Sequence, residues 1–264
     1  MGADELSKGD KRREAIMQEI KRQGKITVQE IIDTFHCSEA TARRDLDLLV
    51  KKGGLFRSLG GVRLDTVSIE LPFNEKRELL LLEKEAIAEK AASMVEPGDI
   101  VGLTGGTTTF LIARHLKRHR HITVVTNAVN IAMELADSGV QIVLTGGVMR
   151  SNSFELCGPL AEKIVDSLNI GKMFMGVDGI TAEHGLTTFS EQEADIARLM
   201  IKRSIQTIAV FDRTKVGRTS LFSAAPLSTV SACITDAPVG GSVADMLGRL
   251  GVPVHVAGAD QTRG

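Results

Sequence analysis

Apolar residues recur at helical spacing through the first fifty or so positions, whereas beyond about residue 100 they form short continuous runs separated by turn residues. Ile16 and Ile20 lie four apart in an otherwise charged stretch, which predicts a helix over Lys11–Arg22 ended by Gly24. Lys25-Ile26-Thr27 reads as a short extended piece. Thr27 can cap a second helix, Val28–Phe35, with Val28, Ile31, Ile32 and Phe35 turned inward. His36-Cys37-Ser38 then makes a tight turn, with Ser38 as the N-cap of a third helix. Winding that helix puts Ala42, Leu46, Leu49 and Val50 on one arc and leaves Thr41, Arg43, Arg44 and Lys51 on its flanks and far side. Gly53-Gly54 follows. Two alternating runs, Leu55–Leu59 and Val62–Leu64, joined by Gly60-Gly61, predict a hairpin. A helix-turn-helix followed by a hairpin is the pattern of a winged helix, with Arg57 and Arg63 on the wing. The third helix is then the recognition helix of a duplex-DNA reader, with Ser38, Thr41, Arg43, Arg44 and Arg57 as its candidate contacts.

The pattern changes after Leu64. Leu71-Pro72-Phe73 interrupts any helix, and a helix starting near Glu75 or Glu83 is expected to run to Val95. From there strands and helices alternate. Strands are predicted at Ile100–Thr104, Ile122–Thr126, Gln141–Thr145, Lys172–Val177, Thr207–Phe211, Ala232–Thr235 and Val252–Val256, with helices between most of them. Continuous apolar strands of this kind are buried on both faces, so the expected fold is α/β: an amino-terminal winged helix-turn-helix followed by a domain with a mostly parallel sheet. The expected division is residues 1–64 for DNA binding, 65–83 as linker and 84–264 for the α/β domain.

Charge supports this division. The whole chain has a net charge of −1, but residues 1–64 carry a net of +3 and the remainder a net of −4. A basic reader joined to an acidic domain suits register-dependent binding and not a nonspecific polycation. Trp and Tyr are absent, so base stacking is poorly provided for and duplex DNA is favoured over single strands. Cys37, Cys157 and Cys233 lack any metal or redox spacing and read as reduced thiols. The charged amino terminus and the lack of a long apolar run lead us to expect a cytoplasmic protein with no membrane association.

Small ligands bind parallel sheets at the carboxyl ends of the strands, and there this chain places its unusual residues. Leu-Thr-Gly-Gly occurs at 103–106 and again at 144–147, each time closing a strand. In the first copy Thr107, Thr108 and Thr109 open a helix, so glycine N–H groups, hydroxyls and a helix terminus are offered together to an anion. Asn127, Asp178 and the Asp212-Arg-Thr-Lys215 turn add polar groups at further strand ends. His115, His119 and His121 carry two residues at an i,i+4 spacing but sit among Lys117, Arg118 and Arg120 without a neighbouring carboxylate in sequence, so no metal site is expected. Lys11-Arg12-Arg13 reads as a solvated face.

These features together resemble the DeoR-type transcriptional regulators from about Asp10 to Gly258. The resemblance rests on Thr41-Ala-Arg-Arg-Asp-Leu46 and the Arg57–Gly61 wing. It also rests on Pro72-Phe73, Gly106-Thr-Thr108, Val125-Thr-Asn127, Thr145-Gly-Gly147, Gly158-Pro159, Gly176–Ile180, Gly185–Thr188, Glu191-Gln-Glu193 and Lys215-x-Gly217. It implies a repressor of a sugar-utilisation operon whose second domain is similar to ribose-5-phosphate isomerase and glucosamine-6-phosphate deaminase. The implied partners are duplex operator DNA, a phosphorylated sugar or amino sugar as effector, and a second copy or three further copies of the chain. No cofactor is implied. Carried over, Gly105, Gly106, Thr107 and Thr108 hold the phosphate, while Asn127, Asp178, Glu191, Glu193 and Lys215 meet the sugar. This chain has Thr104 where many relatives carry Asp, and Leu59 where many carry His before the wing glycines. An isomerase or deaminase with an appended DNA-binding domain is the alternative. Against it, Thr181 stands where the isomerase has a second Asp, and Gly185-Leu-Thr-Thr188 replaces its lysine-glycine loop.

Overall fold

The computed structural model describes residues 7–51, 55–64 and 70–258, and the chain divides into two compact units between Leu81 and Leu82. The Gly53-Gly54 turn and the first residues of the expected linker lie outside the described residues.

The first unit contains helix α1 (Lys8–Gln23), strand β1 (Lys25–Thr27), helices α2 (Val28–Phe35) and α3 (Glu39–Lys51), strands β2 (Leu55–Ser58) and β3 (Gly61–Leu64), and helix α4 (Phe73–Glu78). Helix α1 begins three residues earlier than expected, capped by Ser7, and Gly24 closes it with a left-handed φ of 76°. Thr27 and Glu30 form a reciprocal capping box at the start of α2. Strand β1 pairs antiparallel with β3, so the extended piece between the first helices becomes the third strand of the wing sheet. A side chain at Gly61 would meet the Ile26 carbonyl at 2.1 Å, which explains the glycine in that strand. Ile16, Ile20, Ile31, Ala42, Leu46 and Val62 are fully enclosed and form the core, joined by Leu79 from beyond the wing.

The charged residues correct the sequence reading. Asp45, on the inner side of α3, is buried, and it takes Arg12 Nε at 2.6 Å and Arg13 Nη1 at 3.0 Å. The Lys11–Arg13 run is therefore not simply a solvated face. It supplies two guanidinium groups to one buried carboxylate.

The single helix expected to begin near Glu75 or Glu83 is two. Helix α4 stops at Glu78, and α5 (Leu81–Ala92) begins after Leu80, which adopts a left-handed φ of 50°. Leu79 and Leu80 are both buried, and burying two leucines outweighs the roughly 1–2 kcal/mol cost of a left-handed non-glycine residue.

The second unit is built on a seven-stranded, wholly parallel sheet among the described residues. Its strands are β4 (Ile100–Leu103), β5 (Thr123–Thr126), β6 (Gln141–Leu144), β9 (Ile170–Gly176), β12 (Ser204–Phe211), β14 (Ala232–Thr235) and β15 (Val254–Val256), in the order β15-β14-β12-β9-β4-β5-β6. Successive residues face opposite sides. Phe174, Ile208, Val210 and Ile234 pack with α5, α6 (Thr107–Leu116) and α7 (Val129–Leu135). Met173, Met175, Ala209, Phe211 and Cys233 pack with α8 (Pro159–Val165), α9 (Glu191–Lys202) and α10 (Gly241–Leu250). Burial on both faces accounts for the unbroken apolar runs.

Two small antiparallel sheets were not evident from the sequence pattern. One is the hairpin β7 (Val148–Arg150) and β8 (Glu155–Cys157); the other joins β10 (Gly179–Thr181), β11 (Gly185–Thr188) and β13 (Phe222–Ala225).

Candidate functional site

Two surfaces carry the chemistry, one in each unit. On the first, Ser38 opens α3: its carbonyl accepts the Ala42 N–H at 2.9 Å and its hydroxyl lies 3.3 Å from the Thr41 N–H and 2.9 Å from Thr41 Oγ1. Ala42, Leu46 and Leu49 are buried as the helical wheel requires, so Glu39, Arg43, Arg44 and Asp47 are turned outward. Arg43 is held by Glu39, with Nε and Nη2 at 2.9 and 2.7 Å from the same carboxylate oxygen. Arg57 reaches from the wing to Asp47 and to the Arg43 carbonyl, the latter at 3.4 Å, so wing and recognition helix are tied together. Arg44 is exposed and has no ion pair among the described residues.

On the second, parallel strands bring every carboxyl end to one rim of the sheet. The loop after β4, Thr104-Gly105-Gly106, leads into α6; Asn127 follows β5, Thr145 follows β6, Asp178 follows β9 and Asp212 follows β12. Gly106 has φ +133°, a conformation side chains rarely adopt, and Thr107 and Thr108 behind it are buried. The Thr104 hydroxyl accepts the Gly176 N–H at 3.2 Å, tying β4 to β9 at the rim.

The centre of this rim includes two residues that sequence reasoning missed. Asn127, fully enclosed, accepts the Gly105 N–H at 3.2 Å and donates to Glu155 Oε1 at 3.2 Å and to the Leu156 carbonyl at 3.4 Å. Glu155 also accepts the Gly105 N–H, at 3.1 Å, and a side chain at Gly105 would collide with Glu155 Cγ at 2.1 Å. The Gly105 N–H expected for a phosphate is thus already engaged, and the free backbone donors of the loop begin at Gly106. Arg150, across the hairpin from Glu155, pairs with Glu193 of α9 and donates to Ser153 at 3.2 Å.

Burial and the neighbouring Glu155 and Asp178 raise the Glu193 carboxyl well above its usual range, although Arg150 opposes the shift. Burial and the same two glutamates push the Cys157 thiol up to about 12, which leaves it an inert packing group. Asp178 accepts the Phe189 N–H at 3.1 Å, and so fixes the approach to α9. Asp212 caps the short turn that carries Lys215. Burial alone would raise its carboxyl, but Lys215, Lys84 and the Thr214 hydrogen bonds outweigh burial and hold it low.

Of the expected rim residues, Gly105, Asn127 and Glu193 therefore meet in one network around Glu155. Asp178 lies close enough to Glu193 to perturb it, and Lys215 belongs to a second charged group with Asp212 and the buried Lys84. Glu191 is exposed at the start of α9 and shares no described contact with the network. The missing residues gave little local signal, since Glu155 stands 50 positions from Gly105 and Arg150 stands 43 from Glu193. His115 Nε2 lies 3.0 Å from Glu85, a carboxylate that sequence proximity did not reveal, and no cluster of three metal-ligating residues occurs among the described residues. No helix among the described residues is long and apolar enough to cross a membrane.

A winged helix with an outward basic face, in one chain with an α/β unit that gathers polar groups at its sheet rim, defines the class of ligand-responsive DNA-binding regulators. Residues 12–67 match the DeoR-like helix-turn-helix domain and residues 81–237 the DeoR C terminal sensor domain, so the chain belongs to the DeoR family. It is 34% identical to the HTH-type transcriptional repressor GlcR of Bacillus subtilis, over 94% of this chain and 96% of that protein. It is 30% identical to the glycerol-3-phosphate regulon repressor of Escherichia coli, over 91% of this chain and 96% of that one. Among solved structures, ribose 5-phosphate isomerase A of Methanocaldococcus jannaschii aligns with 50% of this chain and 53% of its own at a TM-score of 0.39 and 15% identity, a likeness too slight to argue from.

Proposed function

We propose that this protein is a transcriptional repressor of a sugar-utilisation operon, binding operator DNA through α3 and the wing and releasing it when a phosphorylated sugar or amino sugar occupies the sheet rim. The observation that carries the reading is the gathering of polar strand ends beside the amino terminus of α6, in a chain that also bears a DNA-binding domain. Gly106, Thr107 and Thr108 are the phosphate end, with Gly105 as the packing position that lets Glu155 close on the loop. Glu193 and Asp178 face the sugar, with Asn127 enclosed behind them as the bridge between Gly105 and Glu155; Lys215 offers a cation, and Glu191 is assigned there from its place in the family motif. The repression of a glycerol-3-phosphate regulon by one relative agrees with a phosphorylated effector.

Ser38, Thr41, Arg43, Arg44 and Arg57 form the DNA surface, and Arg44, exposed and without an ion pair, should be its strongest single contributor. Arg44→Ala should cost about 1–3 kcal/mol if it reads a base, and weaken all sequences alike if it meets phosphate only. A homodimer or homotetramer presents the paired half-sites such readers need. Residues 1–64 and 84–264 are assigned as the working domains with 65–83 between them, although α4 and Leu79 of that stretch belong to the first compact unit. No turnover is expected, because Thr181 uses its hydroxyl to accept the His184 N–H at 3.0 Å within a turn and the isomerase loop is missing.

Operator titration with and without a panel of sugar phosphates, in wild type and Gly106→Val, tests the reading. The effector should weaken operator binding in the wild type only, by the 5–150-fold range usual for allosteric coupling. An effector that tightens DNA binding, or a Gly106→Val protein that still responds, would overturn it. Robust conversion of ribose 5-phosphate or glucosamine 6-phosphate would favour the enzyme.

A further inference from the structure

Helix α3 carries three carboxylates, and they are treated differently. Asp45 is buried under two guanidinium groups, and Asp47 is met by the wing's Arg57. Glu39 lies on the outward first turn, the part of a recognition helix that reaches base edges, and its partner is Arg43 one turn on. A carboxylate among phosphates weakens binding to every sequence unless it also recognises something.

The Glu39–Arg43 geometry suggests what that is. Both described bonds from Arg43, from Nε and Nη2, end on Glu39 Oε1. Glu39 Oε2 and Arg43 Nη1 carry no described bond, so the pair keeps a free acceptor and free N–H donors. The two side chains are 61% and 59% exposed, so the pair contributes little to folding. In the major groove, cytosine offers the N4 amino group to a carboxylate and guanine offers O6 and N7 to arginine.

We propose that Glu39 is a specificity-determining residue. Its Oε2 accepts from a cytosine amino group, while its Oε1 holds the Arg43 fork so that Nη1 addresses a neighbouring guanine. Glu39 and Arg43 then read as one unit, and Arg44, one residue on and unpaired, acts separately.

Selection from a random-duplex library with the full-length wild type, Glu39→Ala and Glu39→Gln tests this. The wild type should enrich a cytosine beside a guanine, and Glu39→Ala should relax the cytosine preference by about five- to a hundred-fold while the rest of the motif persists. Glu39→Gln should move the preference at that position toward adenine, whose N6 and N7 suit a side-chain amide. If Glu39 serves only the helix dipole, both variants will select the wild-type sequence, with affinity changed uniformly, and the proposal fails. Circular dichroism matched to wild type, together with unchanged salt dependence of binding, separates loss of reading from loss of the helix. The isosteric Glu39→Gln gives the readout should Glu39→Ala fray the first turn.

Discussion

Each unit buries carboxylates, and the two do so in opposite ways. In the DNA-binding unit Asp45, with 3% of its side chain exposed, receives two guanidinium groups that themselves reach solvent, at 25% and 18% exposure. Arg13 also pairs with Asp10 at 2.6 Å, so two carboxylates meet two guanidinium groups, and each guanidinium keeps contact with water. In the sensor, Arg150 pairs with Glu193, while the described bonds to Glu155 come from the neutral donors Gly105 and Asn127. The first arrangement is electrostatically closed and belongs to the scaffold. In the second, burial first and then the neighbouring Glu155 and Asp178 raise the Glu193 carboxyl, against the opposing pull of Arg150.

The largest effect should follow from opening the closed cluster. Asp45→Ala strands Arg12 and leaves Arg13 with Asp10 alone, and removing one partner of a buried pair typically costs about 3–5 kcal/mol. Because both arginines reach solvent, the lower end is expected, with operator binding lost and the sensor intact. Denaturation followed by circular dichroism measures it, and a loss below about 1 kcal/mol would show that Asp45 behaves as an ordinary surface charge.

Gly105→Ala comes next. The added methyl must displace Glu155, and overpacking of this kind costs about 1–3 kcal/mol. Combining it with Glu155→Ala should recover much of that loss, because the colliding atoms are then gone. Strict additivity in the double variant would show that the collision is not the cause.

The smallest effect concerns pH. A carboxyl raised in the folded state gives stability that is full below the ordinary glutamate range and is lost as pH rises through the folded-state value. Glu193→Gln stays neutral, so the variant's stability relative to wild type should rise as pH increases from about 4 to 8. Urea midpoints at a series of pH values would decide, and a difference that does not vary with pH would place the unbalanced charge elsewhere.

What could be read from the chain follows the range of the forces involved. The parallel strands announced themselves because burial on both faces demands continuous apolar runs, as in Ile208–Phe211, and because Gly and Pro punctuate them. The recognition helix was legible from its cap and its arc. Asp45 was not, since its partners lie 32 and 33 residues away. Glu155 sits in a strand of three residues, too short to show alternation, and only the folded hairpin turns it toward Gly105. The break at Leu80 was hidden for a related reason: the apolar positions fit one helix, and tertiary burial of Leu79 and Leu80 decided against it.

The hairpin β7–β8 is attached to the rim by backbone bonds, from Leu156 N–H to the Asn127 carbonyl at 2.7 Å and from Val129 N–H to the Phe154 carbonyl at 3.0 Å. Main-chain stitching of that kind is indifferent to side-chain identity, so it holds the hairpin in place independently of the side-chain bonds that Glu155 and Arg150 add. On the proposed function, replacing the residues at 150 and 155 should alter what the rim accepts while the register of the parallel strands stays in place. On the function proposed above, a change of effector would need only one short hairpin rewritten, with the parallel strands left as they are.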